Sequence, residues 1–295
     1  MKTKIKIGAY QITKSRGFKL KDHANALPKD LYKDKKDYEK ELEDYRKEID
    51  DLQNMMYAHD KHSLLLIFQA MDAAGKDGTI RHVMSGVNAH GVEVNAFKKP
   101  SDLELEHDFL WRTTLALPPR GNVGIFNRSY YEEVLVCKVH PEIVTKYQKL
   151  PPGCTEDMEQ LWENRYRAIR DFEKHLTENG TIVMKFFLNV SKDEQKRRFL
   201  DRIDRQEKNW KFSDGDIKER GYWDDYMEAY ETAIQETATP DCPWYVIPAD
   251  DKKNMRLIVS KLILEKLGSM EMAYPELPDE QKALLADCRA QLENE

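Results

Sequence analysis

The sequence is poor in cysteine, and its few cysteines stand far apart. Among 295 residues there are four, Cys137, Cys154, Cys242 and Cys288, and no two of them form a C-x-x-C pair. This spacing argues against a disulfide framework and against a cysteine-ligated zinc site. It fits reduced thiols in a reducing compartment, so we expect a cytoplasmic protein.

Long apolar runs are also missing. The longest stretches, such as residues 64–68 and 186–188, are far shorter than the roughly 20 residues that a membrane-spanning helix needs. The first residues, MKTKIKIGAYQITK, contain no apolar stretch typical of a secretory signal peptide. The sequence therefore predicts neither a signal peptide nor a membrane partner.

An excess of positive charge is absent as well. The chain has 47 Lys and Arg residues against 53 Asp and Glu residues, which gives a formal net charge of −6. Proteins that coat nucleic acid usually present a strongly basic surface, so we expect no nucleic-acid partner. Hydrophobic residues still make up 40% and aromatic residues 10% of the chain, which argues against a disordered protein.

Five short apolar segments alternate with helical patterns along the chain. Most are nearly continuous runs of Val, Ile, Leu and Phe, which is typical of strands buried on both faces of a parallel sheet. They are residues 63–69, 92–97, 122–126, 181–190 and 244–248. Strand and helix in alternation predict an α/β fold with three layers, built on a five-stranded parallel sheet.

Helical patterns fill the intervals and both ends of the chain. Apolar residues recur at steps of three, four or seven over residues 30–58, which predicts an amphipathic helix after an irregular arm at residues 1–29. Further helices are predicted over residues 79–89, 102–115, 156–178, 192–205, 222–237, 252–267 and 279–292. No repeat or linker interrupts the pattern. We expect one domain over residues 1–295, with an arm and helix at 1–58 and C-terminal helices at 252–295.

The first predicted strand leads into a loop that is similar to a P-loop. Residues 70–79 read AMDAAGKDGT, whereas the P-loop pattern is G-x-x-x-x-G-K-[ST] between a strand and a helix. Gly75 and Lys76 match this pattern, and Ala70 replaces the first glycine. Asp77 takes the hydroxyl position, and Thr79 offers a hydroxyl two residues later. The flanking strand and helix favour a phosphate site.

The residue types of this 70–79 loop suit phosphate chemistry. Lys76 can place its ammonium group against terminal phosphates, and a helix N-terminus adds backbone N–H donors. Two carboxylates beside an anion are explained if Mg²⁺ lies between them and the phosphates, so Asp72 is the first metal candidate and Asp77 a further one. The alternative is a glycine turn in which Asp77 merely caps the helix. The other phosphate-binding candidates are Ala73, Ala74, Gly75, Gly78 and Thr79.

A second polar cluster follows the third predicted strand, where residues 126–133 read FNRSYYEE. Ligands bind at the carboxyl ends of parallel strands, so Asn127, Arg128 and Glu132 are expected to share the mouth of a site with Lys76. Arg128 offers a planar fork for phosphate oxygens. Alone, the segment could be a turn capped by Asn127 or Ser129, but the neighbouring 70–79 loop favours the site.

A basic segment follows the fourth predicted strand. It begins with an S-x-x-E capping pattern. Arg198, Arg202 and Arg205 are spaced by four and three residues and therefore share one helical face, with Lys208 and Lys211 beyond them. In P-loop kinases a lid in this place closes over the phosphates and excludes water, so we predict a lid at residues 191–220. The alternative is that the arginines form weak surface pairs with the interleaved acidic residues.

Four segments together resemble the polyphosphate kinase 2 family. They are AMDAAGKDGT at 70–79, GVNAHGVEV at 86–94, FNRSYYEEVLVCKVHP at 126–141, and KDEQKRRFLDRI at 192–203 followed by KNWKF at 208–212. The resemblance implies a P-loop kinase-like fold that moves phosphoryl groups between inorganic polyphosphate and purine nucleotides. It also implies Mg²⁺, or alternatively Mn²⁺, as cofactor, and a homo-oligomer.

The resemblance assigns roles to individual residues. Asp72 and Lys76 match the loop residues that serve the metal and the phosphates, and Asn127 with Arg128 matches the Walker B-like pair. Arg198 and Arg202, which share one helical face, match the lid positions of the family. With Glu132 of the third segment, these matches give five candidates for catalysis, Asp72, Lys76, Arg128, Glu132 and Arg198.

The third segment bears on the acceptor. Members of the family that act on nucleoside diphosphates tend to read FDRSWYN there, whereas this chain has Asn127 and Glu132. It thereby resembles members that accept nucleoside monophosphates, which implies AMP and ADP as acceptors, with GMP and GDP as alternatives. Without an Asp at 127, Asp72 would carry more of the metal binding, and Glu132 becomes a further metal candidate.

These residues predict direct in-line transfer without a covalent intermediate. Lys76, the metal and the lid arginines would neutralise the developing charge, while Glu132 would position the acceptor. The polymer would lie along a basic channel built from the lid and from Lys14, Lys19 and Lys21 of the arm. Two alternatives stay open, a nucleotide kinase that uses ATP as donor and a P-loop scaffold that binds without turnover.

Overall fold

The structure, a computed structural model that describes residues 5–14, 17–210 and 212–295, is built around a six-stranded sheet. The strands are β1 (Gln11–Ile12), β2 (Ser63–Gln69), β3 (Val92–Ala96), β4 (Val123–Asn127), β5 (Thr181–Asn189) and β6 (Trp244–Pro248). Their spatial order is β1-β6-β5-β2-β4-β3. β2 through β6 run parallel to one another, and β1 runs antiparallel to its one neighbour, β6.

The predicted total of five strands, all parallel, is wrong by one strand. The five predicted strands are all present and parallel, but β1 comes from the segment expected to be an irregular arm. Gln11 lies opposite Tyr245 and Ile12 opposite Trp244. A two-residue strand has no period of its own, so its existence depends on the partner strand rather than on a pattern in the sequence.

The α-helices are distributed along the whole chain. Those of the described residues are α1 (Lys35–His59), α2 (Lys76–Val83), α3 (Asp102–Leu105), α4 (Trp111–Thr114), α5 (Val136–Val139), α6 (Glu142–Tyr147), α7 (Met158–Glu178), α8 (Lys192–Asp204), α9 (Gln206–Asn209), α10 (Asp214–Gly221), α11 (Trp223–Thr237), α12 (Lys252–Gly268) and α13 (Asp279–Glu293). Among the described residues, no helix combines the length and the apolar character that crossing a membrane requires.

Two groups of helices cover the sheet. α12 packs against α1, α2 and β6, whereas α7 packs against α11 and β5. Every residue of the central strand β2 is at most 2% exposed, which requires cover on both faces of the sheet. The predicted α/β architecture is therefore confirmed, with an added antiparallel edge strand.

Three predicted helices differ clearly in their bounds, and the one expected over residues 30–58 begins only at Lys35, after the N-cap Asp34. The helix expected over residues 79–89 begins at Lys76, because Gly75 adopts a left-handed φ of 105° and turns the chain directly from the loop into the helix. The helix expected over residues 102–115 is divided into α3 and α4. The division lies at Asp108, whose carboxylate accepts the N–H of Leu110 at 2.9 Å just ahead of α4.

The predicted lid is not one continuous helix either. α8 starts as expected, with the Ser191 hydroxyl accepting the N–H of Glu194 at 3.1 Å. It ends at Asp204, where the side-chain amide of Asn209 donates to the carbonyls of Arg202 and Ile203 at 2.8 and 2.7 Å. These bonds satisfy carbonyls at the C-terminal end of α8. The lid, residues 191–220, therefore contains α8, α9 and most of α10.

Candidate active site

A cavity of about 760 Å³, called here the large cavity, opens where β2, β3 and β4 end. In the described part of the chain its lining contains nine cationic side chains but only four carboxylates. The cations are Lys76, Lys98, Lys99, Arg128, Arg198, Arg202, Lys208, Lys252 and Arg256, and the carboxylates are Asp72, Asp77, Asp201 and Glu207. A chain with a net charge of −6 thus concentrates positive charge at one place, which suits a polyanion.

The 70–79 loop wraps one end of the large cavity. Ala73 and Gly75 have left-handed φ values of 62° and 105°. The last four residues of this segment, from Lys76 onward, already form the first turn of α2. Left-handed residues between ordinary ones turn successive backbone N–H groups toward one side, which makes a concave site for anions. A non-glycine residue is seldom left-handed, so the conformation of Ala73 is a strained feature of the kind that clusters at functional sites.

Lys76 lies beneath this loop with 9% of its surface exposed. Its ammonium group donates to the carbonyl of Ala70 at 2.6 Å and approaches that of Met71 at 3.5 Å. Burial, and then the charge of Arg128, lower the pKa of Lys76. An ammonium group has three donors, so at least one stays available to an anion in the cavity. Such an anion would offset the causes of the lowered pKa.

Arg128 stands between two carboxylates at the end of β4. It has a left-handed φ of 64°, and its backbone N–H donates to the carbonyl of Phe68 at 3.0 Å. The guanidinium donates to Asp72 at 2.9 Å and lies 3.5 Å from Glu132. Arg128, the residue directly after β4, therefore contacts the loop after β2, as the parallel sheet predicts.

Glu132 faces a second, smaller cavity of about 140 Å³, called here the small cavity. Asp72 and Arg128 line both cavities, while Tyr226 and Tyr230 line only the small one. The side chain of Glu132 is 15% exposed, and burial raises its pKa above the usual range for a glutamate. The carboxylate therefore lies behind Arg128 as seen from the large cavity.

Asn127 and Thr79 differ in their access to the large cavity. The amide of Asn127 donates to Asp77 at 2.7 Å, and both residues line the cavity. Thr79 is fully buried, and its hydroxyl donates to the carbonyl of Gly75 at 3.0 Å. The hydroxyl expected to replace the missing P-loop serine or threonine is thus directed into the protein.

The carboxylates of the large cavity fit a hydrated hard cation better than a closed metal site. Among the described residues, no group of three or more His, Cys, Asp or Glu side chains could hold a metal ion by itself. Asp72 and Asp77 nevertheless line the cavity together with the cations. Mg²⁺ is commonly bound by one or two carboxylates together with substrate phosphates and water. Asp72 and Asp77 fit this type of coordination.

The lid reaches the 70–79 loop through Arg198, which is 4% exposed. Its guanidinium donates to the carbonyls of Ala73 and Ala74 at 3.1 and 2.6 Å, and to those of Ala249 and Asp250 at 2.6 and 3.1 Å. These contacts tie α8, the loop and the turn before α12 into one unit. The fork of Arg198 is therefore engaged with backbone carbonyls.

Arg202 is the more accessible lid arginine. It lines the large cavity, with 24% of its side chain exposed, and lies 3.6 Å from Asp216. Lys208 also lines the cavity and pairs with Asp201. Lys211, expected to add charge here, lies outside the described residues. The lid thus contributes at least Arg202 and Lys208 to the cationic lining.

Comparisons with known proteins agree with this geometry. The family model described as polyphosphate kinase 2 matches residues 32–275. The chain belongs to the polyphosphate kinase 2 family. The crystal structure of polyphosphate kinase 2 from Arthrobacter aurescens TC1 superimposes with a TM-score of 0.85 at 38% identity, covering 97% of this chain and 98% of that chain. The family resemblance predicted from the sequence is confirmed.

Two relatives support the same assignment. The ADP-polyphosphate phosphotransferase of Rhodopseudomonas palustris is 57% identical over 242 residues, which cover 82% of this chain and 83% of the relative. The AMP/ADP-polyphosphate phosphotransferase of Meiothermus ruber is 47% identical over 225 residues, which cover 76% and 79%. The predicted class of enzyme, a polyphosphate-dependent phosphotransferase, is thereby confirmed at the level of the family.

Four cations that line the large cavity were missed by the sequence reasoning. They are Lys98 and Lys99, just after β3, and Lys252 and Arg256 at the start of α12. The sequence offered two signals for them. One is a pair of lysines directly after a strand, and the other is two cations spaced four residues apart at the start of a helix. The sheet order brings both segments to the large cavity, and no local pattern contains that order.

The arm lysines proposed for the polyphosphate channel lie elsewhere. Lys19 pairs with Glu231 at 2.9 Å, and Lys21 lines a separate cavity of about 450 Å³ beside the start of α8. Lys14 is exposed and does not line the large cavity. The structure therefore places none of the three in the large cavity.

Proposed function

We propose that this chain transfers phosphoryl groups between inorganic polyphosphate and the purine nucleotides AMP and ADP, with GMP and GDP as alternative acceptors. The observation that carries the proposal is the large cavity, where a P-loop-like segment meets nine cationic side chains. Polyphosphate is a linear polyanion, and such a concentration of cations attracts and orients it. The names of the two relatives described above, an ADP-polyphosphate and an AMP/ADP-polyphosphate phosphotransferase, support the same acceptors.

In this proposal Asp72 and Asp77 hold Mg²⁺, or alternatively Mn²⁺, together with phosphate oxygens. The ion supplies neutralisation of phosphate charge when it is bound. The sequence also made Glu132 a candidate ligand. Glu132 lines the small cavity and not the large one, so we assign it to the acceptor side, where it supports Arg128.

The residues of the chain perform the remaining work by position and charge. Lys76 directs a free N–H at the phosphoryl group, and Arg128 offers its fork from the end of β4. Arg202 approaches from the lid, which excludes water when it covers the cavity. Arg198 holds the loop in shape. Phosphoryl transfer depends mainly on such positioning and on charge stabilisation, so no covalent intermediate is invoked.

The experiment that tests the function is a donor and acceptor assay on the purified protein. AMP, ADP or GMP is incubated with Mg²⁺ and either polyphosphate or ATP, and the products are separated by chromatography. We expect AMP to be converted to ADP and ATP with polyphosphate, and Lys76→Met to abolish this conversion while the fold is retained.

Each other outcome of that assay selects an alternative. Conversion of AMP with ATP and not with polyphosphate would indicate an ordinary nucleotide kinase. Binding of polyphosphate without any turnover would indicate a scaffold. Turnover by Lys76→Met at the wild-type rate would refute the assigned mechanism with either donor.

The partners and location of the chain belong to the same proposal. We propose that the chain is cytoplasmic and forms a homo-oligomer. We also propose that it uses neither nucleic acid nor a membrane as partner, because nine of its cationic side chains line one cavity. Light scattering coupled to gel filtration measures the oligomeric state. A monomer at micromolar concentration would contradict that part.

A further inference from the structure

The lid ends with two charged residues, Glu219 and Arg220, in the last turn of α10. Neither lines the large cavity, so the transfer chemistry assigned to Lys76 and Arg128 does not use their charges. Successive residues of an α-helix point about 100° apart, because a full turn takes 3.6 residues. The two side chains therefore reach different parts of the protein, and the lid is anchored twice where it rejoins the body.

Glu219 is anchored on the acceptor side. The hydroxyl of Tyr226, in α11, donates to its Oε2 at 2.6 Å, and Nε2 of His140 lies 2.9 Å from the same oxygen. An ionised carboxylate only accepts hydrogen bonds, so the imidazole is the donor in this contact. Glu219 and Tyr226 both line the small cavity, which Glu132 faces. Glu219 therefore joins the end of the lid to the walls of that cavity.

His140 holds Glu219 from a packed position. It directly follows α5, whose first residue, Val136, lines the small cavity. Its ring packs edge-on against Tyr222, with the ring centroids 4.9 Å apart. His140 also belongs to the segment at 126–141 that carries the family resemblance, and the proposed function gives it no role. Its contact with Glu219 links the end of this segment to the lid.

Arg220 is anchored toward the 70–79 loop. One Nη of its guanidinium donates to the carbonyl of Lys192 at 2.7 Å and to the side-chain oxygen of Gln195 at 2.8 Å. The amide nitrogen of Gln195, which is 1% exposed, donates in turn to the backbone carbonyl of Asp72 at 3.0 Å. Because Arg220 occupies the oxygen of this amide, it fixes the direction of the N–H that holds Asp72.

The two anchors serve different sides of the reaction. We propose that Glu219 and Arg220 are positioning residues of the transferase. Through His140, Glu219 fixes the end of the lid beside the acceptor. Through Gln195, Arg220 fixes Asp72, which in the proposed function holds the metal. This inference rests on the proposed function. Because neither side chain lines the large cavity, the loss of one anchor should change one kinetic parameter rather than all of them.

Kinetics with AMP tests the contact of Glu219. His140→Leu removes the donor, whereas His140→Gln places an amide N–H near the position of Nε2. We expect His140→Leu to raise KM for AMP roughly tenfold, as for one lost charge-assisted bond, with kcat within about threefold of the wild type. His140→Gln should bring KM back to within about threefold. A failure of His140→Gln to restore KM, or a fall in kcat without a rise in KM, would overturn this role of Glu219.

Arg220→Met tests the second anchor. Without the guanidinium, the amide of Gln195 can rotate and Asp72 is held less firmly. We expect kcat to fall roughly tenfold and the Mg²⁺ concentration for half-maximal rate to rise, with KM for AMP within about twofold. Lys218→Met is the matched control on the same helix, because the side chain of Lys218 is 77% exposed. An unchanged kcat, or a tenfold rise in KM for AMP, would overturn the assignment of Arg220.

Hydrogen exchange separates this inference from the proposed function. Exchange of the lid, residues 191–220, is followed by mass spectrometry without nucleotide or polyphosphate. We expect α10 to exchange roughly fivefold faster in His140→Leu and in Arg220→Met than in the wild type, and at the wild-type rate in His140→Gln and in Lys218→Met. Faster exchange supports the two anchors even if the wild type proves inactive as a transferase. Unchanged exchange would overturn the inference even if the wild type is active. Thermal unfolding verifies that each variant is folded.

Discussion

Arg198 gives the sharpest test of how the lid and the 70–79 loop cooperate. All five of its N–H donors are used inside the protein. Four go to backbone carbonyls, at Ala73 and Ala74 in the loop and at Ala249 and Asp250 in the turn before α12, and its Nε donates to a carboxylate of its own helix at 2.6 Å. These contacts make Arg198 a positioning residue, whereas the sequence suggested that its charge acts on the phosphates.

The substitution Arg198→Lys distinguishes the two roles. Lysine keeps the charge, but its single nitrogen cannot bridge two pairs of carbonyls as a planar fork does. Ala249 is 0% exposed, so its carbonyl would lose its donor without access to water, at a cost of about 1–3 kcal/mol. Ala73 and Ala74 are at most 8% exposed, so a similar loss at the loop brings the expected loss of stability to about 2–6 kcal/mol. Displacement of the loop should lower kcat roughly 100-fold, which corresponds to about 2.7 kcal/mol.

Urea unfolding and steady-state kinetics measure both quantities. Arg202→Lys on the same helix is the matched comparison, because Arg202 is partly exposed, lies 3.6 Å from Asp216 and rests over the ring of Phe199. We expect it to cost less than about 1 kcal/mol of stability. If Arg198→Lys retains wild-type stability and kcat, the charge rather than the fork matters, and the positioning argument is wrong.

Three further predictions concern Glu132 and a buried ion pair of the core, Lys185 with Glu173. Glu132→Asn should impair the use of AMP more than that of ADP in the donor and acceptor assay, and equal loss with both would contradict the acceptor role of Glu132. Burial raises the pKa of Glu132, so it protonates at a higher pH than an ordinary glutamate and then no longer pairs with Arg128. We therefore expect protonation of Glu132 to cause the fall of kcat/KM at low pH. In Glu132→Gln this fall should disappear or move to lower pH, and an unchanged fall would show that another group causes it. Lys185→Met breaks a fully buried pair with Glu173 at 2.6 Å, and calorimetry should show a loss of about 3–5 kcal/mol that Glu173→Leu partly restores.

The fold was predictable wherever the sequence pattern is local. β2 is covered on both faces, so its apolar run is continuous and was recognised as a buried strand. β1 was not predictable, because two residues become a strand only by pairing with β6. The break in the lid was missed for a similar reason, since it depends on the Asn209 amide reaching back to carbonyls of α8.

The residues of the site, like the elements of the fold, were predictable only where the sequence pattern is local. The shared position of Asp72 and Lys76 at the large cavity was predictable, because strand, loop and helix follow one another in the chain. Lys252 and Arg256 were missed because the order of strands brings α12 to the cavity, and one sequence pattern does not contain that order. The hydroxyl of Thr79 was assigned by spacing alone, which could not show that it bonds to its own helix at Gly75.

Asp72 reduces the repulsion between the cations that line the large cavity. Its carboxylate pairs with Arg128 at 2.9 Å, and both side chains are about one-third exposed. Such a pair contributes only roughly 0–1 kcal/mol to stability. In the proposed function, Asp72 would help to hold a divalent cation, and the fork of Arg128 would then be available to a phosphate oxygen. We therefore expect this ion pair to screen the charges of the empty site and both side chains to take part in binding.

Asp72→Asn tests this exchange, because asparagine keeps the shape and removes the charge. We expect the free energy of unfolding to change by less than about 1 kcal/mol, while kcat falls by two or more orders of magnitude and the Mg²⁺ concentration for half-maximal rate rises. Asp201→Asn is the control, since Asp201 lines the same cavity but pairs with Lys208 in the lid. A normal Mg²⁺ dependence in Asp72→Asn would show that the carboxylate serves only Arg128, and a large loss of stability would show that the pair is structural.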